Sequence, residues 1–307
     1  MDWQKKIMIT GANGMVGHAL IKELTLLGAN NLVKVTRNLC DLSKDEKVKQ
    51  LMYSEIPDYI FHLAGSVFGI GGNSKFPADI LYHNTMINTN TIEYARRIGV
   101  KKIVAMGSGS VYPEINNGKD LKEDQIWLGE PHTSEGAYAH SKRLMLAQLI
   151  ANKKQYNINY AYAISGNLYG EYDKFDIENG HIIPSLIRKF YEASINQMPV
   201  SIWGSGVAVR DFTYSKDTAK TLILLMEKGE GAINIGSGQV HKIKDIVDVL
   251  QELTGLNVEW DSSKPDGQLI RYYNLDKLKA LGFTPSVTLQ QGIELVYNWY
   301  KNHVEIV

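Results

Sequence analysis

Tyr138 and Lys142 stand four residues apart in the run Gly136-Ala137-Tyr138-Ala139-His140-Ser141-Lys142, which opens a helical pattern through Leu144, Leu146, Leu149 and Ile150. On a helix that spacing puts both side chains on one face, one turn apart. An ammonium within a few ångströms favours an ionised phenol. The spacing therefore predicts a tyrosine with its pKa lowered toward neutrality, usable as a proton donor or acceptor. Tyr-x-x-x-Lys pairs also decorate many solvated helices, so the assignment depends on what else the chain places nearby. Ser108 closes the apolar run Lys102–Met106 in the stretch Gly107-Ser108-Gly109-Ser110-Val111-Tyr112-Pro113. A serine at the end of such a strand is placed to meet Tyr138.

The elements that position these groups begin at the amino end. Lys6-Ile7-Met8-Ile9-Thr10 is too short for a helix and reads as a buried parallel strand. Gly11-Ala12-Asn13-Gly14-Met15-Val16-Gly17 follows it, and then a helical pattern through Leu20, Leu24 and Leu27. Strand, three glycines and helix in that order form a dinucleotide-binding turn: one glycine for the bend, one for backbone approach to a pyrophosphate, one for helix–strand packing. The helix N-terminus offers free N–H groups to the anion. Gly11, Asn13, Gly14, Met15, Val16 and Gly17 are the cofactor-binding candidates here. The next strand, Leu32–Thr36, ends at Arg37-Asn38 without the acidic residue expected of a ribose ligand. Arg37 suits a 2′-phosphate, so NADP (as NADPH) is expected, with NAD as the alternative. Asp41, followed by Leu42, fits an adenine-edge contact. Tyr59–Leu63 is a further strand whose end, Ala64-Gly65, is small enough for close approach of a ribose, while His62 reads as a packed strand histidine.

Asn84–Ile98 reads as a helix, with Ile87, Thr91, Ile92 and Ala95 on its inner face, and Tyr160–Ile164 as a strand leading to Ser165-Gly166-Asn167-Leu168-Tyr169-Gly170. Beyond it the strand–helix alternation loosens. The expected fold class is α/β, a Rossmann-type doubly wound parallel sheet with a smaller C-terminal substrate lobe. Residues 1–165 would bind the cofactor, with some later segments returning to that domain, and 166–307 would form most of the lobe.

The 307 residues carry zero formal net charge, 44% hydrophobic and 21% charged residues, and a single cysteine, Cys40. No dense basic block is present, so nucleic-acid binding, which draws on many phosphate contacts, is not expected. The lone cysteine excludes an internal disulfide and a cysteine-based zinc site, and no metal is expected. The amino end shows no signal-peptide pattern and no apolar run approaches the ~20 residues that span a bilayer. A cytoplasmic protein without membrane contact is the expectation.

Taken together the chain resembles the extended short-chain dehydrogenase/reductase family, in its GDP-L-fucose synthase-like subgroup. The likeness runs end to end and is carried by Gly11–Gly17, Phe76-Pro77-Ala78-Asp79, Tyr138–Lys142, Asn167-Leu168-Tyr169-Gly170, His181-Ile182-Ile183-Pro184, Trp203-Gly204-Ser205-Gly206 and Ser263-Lys264-Pro265-Asp266-Gly267. The resemblance implies that Tyr138 protonates the oxygen of a ketone at carbon 4 of a hexose-like ring, that Ser108 hydrogen-bonds the same oxygen, and that Lys142 holds the nicotinamide ribose. It implies a GDP-linked sugar met by Asn167, Lys189, Trp203, Arg210 and Lys264, and a homodimer packed on the tyrosine-bearing helix. Epimerising members move protons with a histidine and a cysteine. The histidine is kept as His181, but Ser110 stands at the cysteine position. A thiol of pKa ~8.5 is tunable to carry a proton near neutrality, whereas an alcohol needs an adjacent base. The Asp-Glu pair of dehydrating members is missing. The expectation is an NADPH-dependent carbon-4 reductase of a GDP-linked 4-keto hexose or heptose, without epimerisation. The alternatives are the bifunctional epimerase/reductase activity, and an NAD-dependent GDP-sugar 4-dehydrogenase running in reverse.

Overall fold

The computed structural model describes residues 1–67, 75–114, 120–178, 180–263 and 269–304. Lys264, a predicted substrate ligand, lies outside the described residues. The first half of the chain alternates strand and helix: β1 (Ile7–Thr10), α1 (Met15–Leu26), β2 (Leu32–Val35), α2 (Asp45–Glu55), β3 (Tyr59–His62), α3 (Pro77–Arg97), β4 (Lys102–Met106), α4 (Gly136–Tyr156) and β5 (Asn159–Ser165). The second half is less regular: β6 (Asn167–Tyr169), α5 (Ile182–Asn196), β7 (Val200–Trp203), β8 (Val209–Tyr214), α6 (Ser215–Lys228), β9 (Gly231–Ile235) and β10 (Val240–Lys242). It closes with α7 (Ile243–Thr254), β11 (Val258–Asp261), β12 (Ile270–Arg271), α8 (Asp276–Ala280) and α9 (Leu289–His303).

Six strands form a parallel sheet in the order β2-β1-β3-β4-β5-β9. Strands covered on both faces must be apolar throughout, and β1 is buried along its whole length. The chain reverses direction of travel across the sheet between β1 and β3. Ligands in such sheets bind outside the carboxyl ends of the strands at that switch point, which is where Gly11 and Ala64 emerge. A smaller sheet of β10, β8 and β12, with β6 beside β8, carries the second half. One apolar core surrounds the large sheet, and α6, β9 and Tyr273–Leu278 return to it; a second gathers Tyr169, Phe190, Phe212, Ile246, Ile293 and their neighbours.

The structure differs from the sequence reading at one helix. Helix α3 starts at Pro77, seven residues before the expected Asn84, with proline at a first-turn position where its missing N–H is harmless. Its apolar period is broken by buried asparagines: Asn84 accepts from Ser66 N and donates to Ser66 O, and Asn88 bonds His62. Polar residues that serve neighbouring loops hide the helix from a periodicity argument. Leu146 and Leu149 are in the core, but Leu144 is 40% exposed.

Candidate active site

The glycine turn is built as its spacing requires. Gly11 has φ +71°, and a Cβ there would press on the backbone of Leu63 and Ala64, 2.9–3.0 Å away. A Cβ at Gly17 would run into the carbonyls of Gly11 and Ala12. Gly14 is the N-cap of α1 and supplies no side-chain cap, so the first-turn N–H groups are left for an anion. Asn13 is exposed at the turn, and Met15 and Val16 are half-buried behind it. A cavity of about 440 Å³ opens beside the turn, lined by Gly11, Arg37, Asp41, Leu42, Ala64 and Gly65 among others. Arg37 is exposed at its rim. Asp41 accepts from Ser43 N and Oγ at 3.1 and 2.7 Å, bonds that together with Arg37 hold its carboxyl below the usual range. A bare glycine turn, an uncapped helix end and a cavity with a cation at the rim fit a phosphate-bearing dinucleotide.

Ser108, Tyr138 and Lys142 converge at the carboxyl end of β4. Ser108 Oγ accepts from Ser110 N at 3.2 Å and from Ser110 Oγ at 3.0 Å, and is itself hydrogen-bonded to the Tyr138 hydroxyl. Lys142, only 3% exposed, donates from Nζ to the Met106 carbonyl at 2.8 Å and lies 5.7 Å from the centre of the Tyr138 ring. Burial presses the Lys142 pKa down to about 8. The tyrosine departs from expectation. Burial pushes the phenol well above its ordinary value, Glu135 adds to the rise, and the Ser108 bond opposes it. The nearby amine does not overcome the desolvation of a phenol that is 9% exposed. Tyr138 is thus a protonated donor at neutral pH.

His62 behaves as a packed histidine. Thr10 Oγ1 accepts from Leu63 N and Ala64 N, so its hydrogen goes to His62 Nδ1 at 2.9 Å, and His62 Nε2 donates to Asn88 Oδ1 at 3.0 Å. Burial, with Lys142 nearby, lowers its pKa to about 4.

The smaller sheet and its flanking segments contribute a polar wall. Asn167 Nδ2 donates to the Asp211 carbonyl at 3.4 Å. Arg210 on β8 stands in register with Arg271 on β12. Two guanidinium groups in register repel; Glu135, next to the tyrosine helix, answers Arg271 at 2.9 Å. Burial and the Arg271 charge lower the Arg210 pKa. Such a doubled cation fits an anionic ligand. Lys189 Nζ lies 5.1 Å from the Trp203 ring centre, and Trp203 is exposed. His181, the N-cap of α5, has Nδ1 3.6 Å from Asp173 Oδ1. The Ser110 hydroxyl bonds Ser108 rather than His181. Arg271, Glu135 and Asp173 were not read from the sequence. Arg271 lies on a two-residue strand, Glu135 in a short turn before α4 and Asp173 in a loop, segments too short to carry a period, so only strand pairing or loop closure brings each into the site.

The profile of the NAD dependent epimerase/dehydratase family matches residues 7–236. The chain is 34% identical over 305 residues to a probable GDP-L-fucose synthase 1 of Oryza sativa subsp. japonica, covering 97% of this chain and 93% of that one. A GDP-L-fucose synthetase from Naegleria fowleri bound to NADP superposes with a TM-score of 0.93 at 27% identity, over 100% of this chain and 96% of that one. A GDP-6-OMe-4-keto-L-xylo-heptose reductase from C. jejuni gives a TM-score of 0.91 at 29% identity, over 99% of both chains. Likeness of this extent reaches past the glycine turn and through the second half of the chain. On the turn, the Ser108–Tyr138–Lys142 cluster and these matches, the chain belongs to the NAD dependent epimerase/dehydratase family, as an oxidoreductase of nucleotide sugars.

Proposed function

We propose that this protein is an NADPH-dependent reductase of the carbon-4 ketone of a GDP-linked 4-keto sugar, hexose or heptose, and that it does not epimerise its substrate. The observation that carries the second half is the Ser110 side chain. Its hydroxyl is buried and gives its hydrogen to Ser108 Oγ at 3.0 Å. An alcohol without an adjacent base does not exchange protons with carbon near neutrality, so the partner needed for inversion is lost. The first half is supported by relatives whose names describe GDP-sugar synthases and a 4-keto heptose reductase.

Bound NADPH would supply the hydride to carbon 4. Gly11, Asn13, Gly14, Met15, Val16 and Gly17 would hold its pyrophosphate, Arg37 its 2′-phosphate, Asp41 and Leu42 its adenine, Ala64, Gly65 and Asn167 the nicotinamide side. Tyr138 gives its proton to the developing alkoxide. Ser110 hydrogen-bonds Ser108, and Ser108 hydrogen-bonds Tyr138, so the phenolate left behind is stabilised by a fixed donor chain. Lys142 adds its charge beside the ring. Arg210, with Arg271, meets the diphosphate, while Lys189, Trp203, His181 and Lys264 contact the rest of the sugar nucleotide. A cytoplasmic homodimer is part of the proposal; Leu81, Tyr82, Leu144 and Ile150 on α3 and α4 are exposed apolar residues that a partner copy would cover.

The test is turnover of a GDP-4-keto-6-deoxy sugar, and of its heptose counterpart, with NADPH in deuterated water. NADPH consumption with no deuterium at the carbons flanking carbon 4 is expected. Deuterium at both flanking carbons would refute the non-epimerising reading, and no NADPH consumption with either sugar would refute the reductase.

A further inference from the structure

His181 occupies an N-cap position, where short oxygen-bearing side chains usually bond the first-turn N–H groups. Its ring does not cap α5 and is about half exposed. The positive end of a helix disfavours a charged imidazole, and so does the nearby Lys174 ammonium. Against both stands Asp173. Its side chain is only 8% exposed, its Oδ1 takes the Lys174 N–H at 2.7 Å, and its Oδ2 is buried with no hydrogen-bond partner among the described residues. A buried carboxylate oxygen left unsatisfied is uncommon in a folded protein and calls for an explanation. The balance at His181 falls to Asp173, whose contact raises the imidazole pKa above its ordinary value.

The backbone that aims Asp173 is held in place. Tyr172 has φ +62°, a left-handed conformation that a bulky residue adopts only when its surroundings enforce it. Its ring stacks on His18 of the cofactor-binding helix α1 at 3.9 Å with 5° between planes, and meets Trp299 of α9 at 4.8 Å. On the other side of Asp173, Arg188 donates to the Phe175 carbonyl at 2.9 Å and Ser185 to the Ile177 carbonyl at 3.1 Å, tying the loop to α5.

We infer that Asp173 is the positioning residue for His181, holding the ring at Nδ1 and in its protonated form, so that Nε2 serves as a hydrogen-bond donor to a sugar oxygen. At 3.6 Å the contact becomes an ion pair once His181 is protonated; hydrogen bonds in unliganded sites often run long and tighten when substrate binds. The role in turnover rests on the reductase reading above, but the pairing itself does not need it.

The test is an NMR titration of the His181 ring nitrogens in the NADP-bound protein, with His181→Gln supplying the assignment. The wild-type midpoint should lie above the ordinary ~6.5. Asp173→Asn should lower it by about one pH unit, roughly tenfold in protonation, with NADPH binding unchanged. Lys174→Gln, a change at an exposed residue, should raise it. In turnover, Asp173→Asn should raise KM for the keto sugar and remove the His181 limb from its pH dependence. An unchanged midpoint in Asp173→Asn overturns the inference. If that variant does not fold, the wild-type and Lys174→Gln titrations decide, and a wild-type midpoint at or below ~6.5 overturns it. A shifted midpoint without turnover on any GDP-4-keto sugar upholds the pairing and defeats the reductase assignment instead.

Discussion

Replacing Lys142 by methionine should make the cofactor-free protein more stable and leave it nearly inactive. A lysine pressed from about 10.5 to about 8 by burial carries roughly 3 kcal/mol of penalty on its charged form at neutral pH. Methionine fills similar space without a charge. Against this, the Met106 carbonyl loses its 2.8 Å donor, a loss of about 1–2 kcal/mol for a buried acceptor. The net expectation is a gain of ~1–2 kcal/mol, read as a rise in the chemical-denaturation midpoint without cofactor. The pH dependence gives a sharper reading. Between pH 8 and 10.5 the unfolded chain holds a proton on Lys142 that the folded chain has released, so wild-type stability rises with pH across that window. The penalty is fully present below it. Lys142→Met should lack this rise, so its advantage over wild type should shrink as pH climbs. A variant less stable than wild type at pH 7, or two parallel stability–pH curves, would refute the argument that burial governs this lysine. Turnover should fall at least 100-fold, since the phenolate formed at Tyr138 loses its neighbouring charge.

Two further outcomes are expected. Tyr138→Phe should reduce kcat by ~10²–10⁴, the usual weight of a general acid, with NADPH affinity unchanged by fluorescence titration. Retained turnover would remove Tyr138 from the chemistry. Arg37→Gln should weaken NADPH binding by roughly tenfold and leave NADH binding unaffected, as loss of one exposed charge-assisted contact to a 2′-phosphate requires; equal losses for both nucleotides would remove that role.

The first half of this fold is legible in the sequence because its determinants are local. The Ile7–Thr10 run, the glycine turn and the apolar period of α1 are consecutive, and each states its own geometry. Tyr138 and Lys142 are legible for the same reason, being one turn apart on α4. What escapes sequence reasoning depends on distant pairing. Arg271 becomes the neighbour of Arg210 only because β12 lies beside β8, and Glu135 becomes its partner across 136 residues of chain. The tyrosine's raised pKa also escapes, since helical spacing reports who is near and not how much water is excluded. The apolar period of helix α3 is interrupted by buried asparagines, Asn84 and Asn88, which bond Ser66 and His62 outside the helix.

Gly109, in the turn that bears Ser108, is backed so closely by the Tyr273 hydroxyl that no side chain fits between them. That tyrosine arrives from the far end of the chain, alongside a network in which Tyr112 bonds Asn234 at 2.6 Å and Asn234 bonds the carbonyls of Leu121 and Asn274. During synthesis the glycine turn and strands β1 to β3 emerge within the first quarter of the polypeptide, whereas the serine turn gains its backing only after more than two hundred residues have emerged. The turn that bears Ser108 therefore takes its final shape only once the last quarter of the chain is in place.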